Sequence, residues 1–255
     1  ADGPEEMKVV GETEFVNGIA AMSASGTYGD TRVAAGIVGT AGLDVGARIG
    51  EVLDEHLKLG GDRFRGIRLL GTNDPHPEIR NGYNDPPADM FPSNGFREGY
   101  AELGKRDLTF EGWCFHHQIP LLTDLARDYP NITMILDHFG GPIGIGPYAD
   151  KQDEVFDLWK QNIADLAECE NVVAKLGGIN MKVNGFNWHK NSKPPTSEEL
   201  FEETRRYYEH TIECFGVDRC MFESNFPVDK ITCSYHTLWN SFKRLTEKYS
   251  ADEKA

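Results

Sequence analysis

Several apolar stretches of this 255-residue chain end in side chains that can move protons or hold anions. Arg68 lies near the end of FRGIRLL (64–70). Trp113 and Cys114 close LTFEGWC (108–114), with His116 and His117 just after. Asp137 and His138 close ITMILDH (132–138). Lys175 and then Gly177-Gly178 end VVAKLG (172–177). Glu223, Ser224 and Asn225 close RCMFESN (219–225), with Asp229 just beyond. A histidine titrates near working pH, so His138 could serve as general base or acid or polarise a carbonyl. Glu223 or Asp229 could orient or activate a water. Arg68 and Lys175 suit a substrate carboxylate or an oxyanion. Trp113, His116, His189 and Asn225 are candidate substrate contacts. Each reading has a structural counterpart: His138 bonded only to backbone, or Glu223 and Asp137 merely neutralised by Arg68 and Lys175. Charges inside apolar strands are costly unless paired or functional, and five strand ends carrying them point to an enzyme site.

Other chemistries fit less well. Ser224 sits in F-E-S-N-F, which lacks the G-x-S-x-G elbow of a nucleophilic serine. His116 and His117 are adjacent and point apart, which does not suit one metal. Of the cysteines, only Cys114 at a strand end is placed like a thiolate. G-G-P-I-G-I-G (140–146) lacks the G-x-G-x-x-G spacing of a dinucleotide loop. His56, His210 and His236 fall on predicted helices and read as solvated. The expectation is no metal and no cofactor.

The elements that must position these groups alternate. A helix is expected over 12–24. Six short strands follow, at 32–38 and at the five stretches above, each trailed by a helical pattern. Asp44 reads as the cap of a helix bearing Val45, Ile49, Val52, Leu53 and Leu57. Another helix is expected at about 94–104. Pro120 suits the first turn of the helix with Leu121, Leu122 and Leu125, and Val155, Leu158, Trp159, Ile163 and Leu166 line the one after it. Thr196 and Glu199 spell a capping box, and the last helix carries Leu238, Trp239, Phe242 and Leu245. Strands alternating with helices mean parallel βαβ units. Helix-to-strand connections are short. Three strand-to-helix connections are long: 71–93, 139–152 and 178–195. Long loops on the carboxyl side of the strands mark the ligand-binding face, whether the sheet is open or closed, and 71–93 reads as a lid.

Composition narrows the class. Twenty-six Lys and Arg against 41 Asp and Glu give a net charge of −15, which repels phosphate backbones and anionic lipid. No nucleic-acid or membrane partner is expected. No run approaches a membrane span, and no signal peptide is visible. Five cysteines without a C-x-x-C pair suit a reducing, cytoplasmic setting. The expected partner is a small-molecule substrate, and exposed strand edges leave a homo-oligomer open.

LDHFGGP (136–142), AKLGG (174–178), GFNWH (185–189), RCMFESNFPVDK (219–230) and RGIR (65–68) resemble the amidohydrolase-2 family over about residues 30–250. The resemblance implies a (β/α)8 TIM barrel. The family holds metal-dependent amidohydrolases and decarboxylases, and lactonases that act without metal, such as the pyrone-dicarboxylate lactonase. It implies an active-site histidine ending strand six, which His138 matches, and a carboxylate ending strand eight that activates water or binds metal. This chain departs in two ways. It has no H-x-H of the family's first strand, so its strands match three to eight. The first two strands and the C-terminal end then read as absent, with Ala1 as a cut. Asn225 stands where the family has aspartate, and it is a poor base and a weak ligand, so Glu223 or Asp229 would carry the acidic role. The resulting expectation is one partial barrel domain over 1–255. It would hydrolyse a small, carboxylated or cyclic lactone or amide substrate, with His138, Glu223 and Asp229 catalytic and Arg68, Lys175, Trp113, His116, His189 and Asn225 binding. The alternatives are a metal-dependent non-oxidative decarboxylase and a silent barrel that only binds.

Overall fold

A computed structural model of the chain describes residues 4–82 and 85–254. Its six strands are β1 (Ile37–Gly39), β2 (Phe64–Leu70), β3 (Thr109–Trp113), β4 (Met134–Leu136), β5 (Val172–Leu176) and β6 (Cys220–Phe222). All pair in parallel, and their order in the sheet is their order in the chain. The helices are α1 (Val10–Ala24), α2 (Ile49–Gly60), α3 (Asn94–Gly104), α4 (Ile119–Asp128), α5 (Gln152–Ala167), α6 (Ser197–Phe215) and α7 (Tyr235–Leu245). Parallel crossovers are right-handed. Crossovers that all step the same way therefore lay their helices on one face, and a twisted sheet covered on one face curls around the other. Among the described residues, no helix is long and apolar enough to cross a membrane.

The core lies between the outer sheet face and the helices. Ile67, Phe110, Met134, Leu136, Val172 and Leu176 meet Leu53, Phe96, Leu122, Trp159, Ile163 and Phe242, all buried. The opposite, concave face begins with Val38 and Met221 on the edge strands, which remain 40% and 43% exposed. Arg68 and Lys175 lie on this face, and Asp137 and Glu223 continue it past the ends of β4 and β6. The short connections at the other end are pinned by two side chains. Asn171 Nδ2 donates to the carbonyls of Ala126, Tyr129 and Ile132. Arg219 donates to those of Ala167, Cys169, Val172 and Phe215. Each side chain caps helical carbonyls that would otherwise be orphaned.

The Thr196 capping box forms as the sequence predicts: Thr196 Oγ1 accepts from Glu199 N and Glu199 Oε2 from Thr196 N. Pro120 sits in the first turn of α4. Three expectations are corrected. The strand expected over 32–38 shrinks to Ile37–Gly39, because Ala34 adopts a left-handed φ of 52° that interrupts the extended run. Asp44 does not cap a helix. It lies in a 3-10 segment, Leu43–Arg48, broken at Gly46 (φ 70°), and α2 starts only at Ile49. That segment packs into α3. A Cβ at Gly95 would strike the carbonyl of Asp44, and one at Gly99 the carbonyl of Leu43. His56 is also not solvated: it is fully buried, stacked on Phe64 and bonded to Thr13 Oγ1.

The close approach of α3 to residues 43–48 sets a test. Gly99→Ala gains helix propensity but forces backbone apart, and overpacking of this kind outweighs that gain. We expect a net loss of about 2 kcal/mol, seen as a Tm lowered by roughly 4–8 °C in a thermal melt. An unchanged Tm would refute the close contact.

Candidate active site

Strand register places the charged residues. Arg68 pairs with Glu111, Glu111 with Ile135, and Ile135 with Val173. Side chains alternate along a strand, so Asp137, two beyond Ile135, and Lys175, two beyond Val173, share that face. Met221 pairs with Lys175, which puts Glu223 there too. The contacts agree. Lys175 Nζ lies 2.5 Å from Glu111 Oε2, 3.1 Å from Asp137 Oδ1 and 3.9 Å from Glu223 Oε2. Arg68 Nε lies 2.7 Å from Asp137 Oδ2, whose carboxylate is fully buried. One buried carboxylate is thus shared by two cations. Burial pushes Lys175 down, but the charges of Asp137 and Glu111 outweigh it and leave the ammonium above its ordinary value. Burial and the Asp137 charge push Glu111 up.

From this network a line of hydrogen bonds runs to His138. Arg68 Nη2 is 2.8 Å from His138 Nε2, and His138 Nδ1 is 2.5 Å from Glu223 Oε1. The tautomer follows from the partners. A guanidinium only donates, so Nε2 is the acceptor and Nδ1 carries the proton donated to Glu223. Trp113 stands edge-on to the imidazole, with centroids 5.4 Å apart. Its buried Nε1–H has no acceptor among the described residues.

Backbone conformation makes room for this arrangement. His138 (φ 50°) and Phe139 (φ 58°) are left-handed without being glycine, as is Asn225 (φ 51°). Such conformations cost roughly 1–3 kcal/mol each and gather at functional sites. The turn is held from behind, where Trp159 Nε1 donates to Phe139 O at 2.6 Å. After β5, a Cβ on Gly177 would strike the Glu223 backbone, and one on Gly178 the His138 ring. The glycine pair is what lets the two side chains meet.

Asp229 sits beside this group. Asn225 Nδ2 donates to its Oδ1 at 3.0 Å, while its Oδ2 is buried with no partner among the described residues. Burial, reinforced by the Glu223 charge, pushes the carboxyl up to about 7, against the Asn225 bond and the proximity of His138.

The other candidates lie around these. His116 is buried, and burial lowers it to about 4. Its Nδ1 faces Ile143 N, and its carbonyl accepts from Asn162 Nδ2. His189 lies part-exposed in the turn Trp188–Lys190, and no hydrogen bond or ion pair joins it to His138 among the described residues. Cys114 is fully buried, which raises its thiol far above the ordinary range and keeps it protonated. The stretch read as a lid, 71–93, includes residues 83 and 84, which lie outside the described ones. Its buried Asp74 accepts from Tyr148 OH at 2.7 Å and from His76 N at 2.9 Å, and contacts His76 Nδ1 at 2.8 Å. His117 Nε2 lies 3.8 Å away. Asp74 thereby ties this segment to the 139–152 loop.

Sequence reasoning passed over Glu111 and Asp74. Glu111 is a lone acid at an inward position of a β-strand, the same signal that Lys175 gave, and was findable. Asp74 is fixed by partners from three separate segments, and no periodicity announces it.

The amidohydrolase family model matches residues 24–255. A curated protein of Sinorhizobium fredii is 36% identical over 208 residues, 81% of this chain and 61% of that protein. An L-fucono-1,5-lactonase of Burkholderia multivorans is 25% identical over 161 residues, 63% of this chain and 51% of the enzyme. The chain thus spans between half and two thirds of the length of these curated relatives. Among solved structures, an amidohydrolase of Burkholderia multivorans with bound zinc is similar at TM-score 0.73 and 22% identity, over 96% of this chain and 74% of that one. A Pseudomonas putida protein assigned as a 2-pyrone-4,6-dicarboxylic acid hydrolase is similar at TM-score 0.54 and 20% identity, over 85% and 66%. Both structural likenesses speak to the fold.

Among the described residues, no group of three His, Cys, Asp or Glu side chains could hold a metal ion. Both His138 nitrogens are engaged, and two cations occupy the space beside Asp137. These residues do not fit a metal centre.

The raised Asp229 carboxyl predicts a pH effect. Its folded value of about 7 exceeds the ordinary 3.8, so the neutral form is favoured by folding. The penalty of ionising it grows as pH rises from about 4 and is complete above 7. Asp229→Asn keeps an acceptor for Asn225 and removes that penalty. Urea unfolding should find the variant more stable at pH 8 by up to about 4 kcal/mol, with the gap narrowed to about 1 kcal/mol at pH 4.5. A gap independent of pH would contradict the assignment.

Proposed function

The chain belongs to the amidohydrolase family, and from that premise we propose that it hydrolyses a small lactone-type ester bearing a carboxylate. The observation that carries this reading is the line Arg68–His138–Glu223, with exposure falling from an accessible guanidinium to a buried imidazole. We read the sheet as strands three to eight of a (β/α)8 barrel, with the site at its carboxyl rim.

The roles follow from the partners. Arg68 presents free N–H groups to the substrate carboxylate. Trp113 Nε1 has a proton to offer the ester carbonyl oxygen. His138 Nε2 takes a proton from the attacking water, and Glu223 steadies the resulting imidazolium through Nδ1–H. The acyl C–O bond then breaks, and the leaving alkoxide takes a proton from Asp229, which burial keeps protonated up to about 7. Water adds across the bond to give a hydroxy acid, and the proton that acid releases is what an assay reads. Lys175 acts at one remove: its ammonium is taken up by Glu111 and Asp137, and it fixes Asp137 and, through it, Arg68. The L-fucono-1,5-lactonase relative supports the reaction class.

A pH-stat assay over a panel of lactones, with and without a carboxyl group, tests this. We expect acid release with a carboxylated lactone, and a fall in kcat/KM of at least about 100-fold in His138→Ala, with the folded state checked by circular dichroism. Full activity in His138→Ala would remove the assignment. Binding without acid release would favour a silent barrel, and release of CO₂ a decarboxylase.

A further inference from the structure

We propose that Arg68 is a latch on His138, and that a carboxylate on the substrate opens it. The proposal rests on the reading of His138 as the base. In the structure that base cannot act, because its one lone pair, on Nε2, accepts from Arg68 Nη2 at 2.8 Å. Nδ1 is committed to Glu223. A proton can reach Nε2 only if the guanidinium moves off.

Three features let it move. First, Arg68 is held independently of His138, because its Nε stays 2.7 Å from Asp137 Oδ2. The head can turn about that contact while the side chain keeps its place. Second, the arriving ligand meets the latch before the base: the Arg68 side chain is 37% exposed, that of His138 only 3%. Third, a carboxylate is the better acceptor. The imidazole takes one N–H from the guanidinium, whereas a carboxylate brings a full negative charge and can take two parallel N–H bonds from the fork, and a ligand shifts an equilibrium by its differential affinity for the two states. Lys175 cannot intercept the anion, since Glu111 and Asp137 already surround its ammonium.

The latch makes the anionic group part of the catalyst. A neutral lactone of the same shape leaves Nε2 capped, whereas a carboxylated one uncovers it. The carboxylate then raises kcat and does not act on KM alone.

The test reads the nitrogen itself. Histidine is labelled with ¹⁵N, and the ring nitrogens of residue 138 are identified by their loss in His138→Gln. Sodium malonate serves as probe, with sodium chloride at equal ionic strength as control. In free protein we expect a protonated Nδ1 and an Nε2 at the position of a hydrogen-bonded acceptor. Malonate should move Nε2 toward the position of a bare lone-pair nitrogen and leave Nδ1 protonated, and chloride should not. Arg68→Met should show the moved position without malonate and no response to it. A wild-type Nε2 that ignores malonate, or that moves equally with chloride, overturns the proposal. So does a folded Arg68→Met with wild-type shifts. If that variant does not fold, the wild-type titration decides alone. A malonate response in a protein that releases no acid from any lactone would keep the latch and remove the hydrolase reading, so the two failures are distinguishable.

Discussion

The buried carboxylate of Asp137 is the constraint on which the site depends. A lone ionised carboxylate inside a protein costs several kcal/mol after relaxation, and Asp137 is fully buried. Two cations from two other strands answer it, Arg68 from β2 and Lys175 from β5. Those cations in turn reach Glu111 on β3, His138 after β4 and Glu223 after β6. One charge at a strand end therefore fixes the relative positions of five consecutive strands on the concave face. Each member is positioned by at least one other, so the network holds together only as a unit. Removing Lys175 would leave Glu111 without its ion-pair partner and Asp137 with Arg68 alone.

The outer face supplies the rigidity that this arrangement requires. Three non-glycine residues in left-handed conformations stand around the site, at 138, 139 and 225. They persist because surrounding contacts over-determine them. Trp159 on α5 grips the Phe139 carbonyl, Phe139 packs edge-on against Tyr208 of α6, and Asn225 is tied to Asp229. The apolar layer between sheet and helices thus does more than stabilise the fold. It holds a strained turn in the one conformation that presents His138 to both Arg68 and Glu223.

How much of this the sequence revealed depended on whether the signal was local. Lys175 and Asp137 were legible because a charge within a β-branched run is conspicuous. Thr196 and Glu199 were legible because a capping box is closed by neighbours three apart. The parallel alternation followed from spacing alone. Glu111 carried the same signal as Lys175, a lone charge inside an apolar strand. The burial of His56 was hidden because helical position says which residues share a face, not which face a neighbouring helix covers. Here α1 supplies Thr13 to cover it. Asp74 could not be found from pattern, since its partners Tyr148, His76 and His117 come from three different segments. The direction of the Arg68–His138 bond was likewise beyond sequence. Residue types permitted Arg68 to serve either as substrate anchor or as internal counter-ion, and the structure has it facing Asp137 and His138 at once.

This double engagement bears on what the site can do. Within the network every charge is answered, so little electrostatic capacity is left for a ligand in the arrangement observed. Two polar groups lie outside that closure: the buried indole N–H of Trp113 and the second oxygen of Asp229, neither with a partner among the described residues. Buried polar groups are normally satisfied, and leaving one unpaired costs on the order of 1–3 kcal/mol. They are one donor, on a ring that stands edge-on to the imidazole, and one carboxyl that burial keeps protonated up to about 7 and that feels the His138 charge. A carbonyl oxygen that accepts from the indole and a leaving oxygen that takes the carboxyl proton would satisfy both. A cyclic ester carries two such oxygens one atom apart, on the same carbon that water attacks.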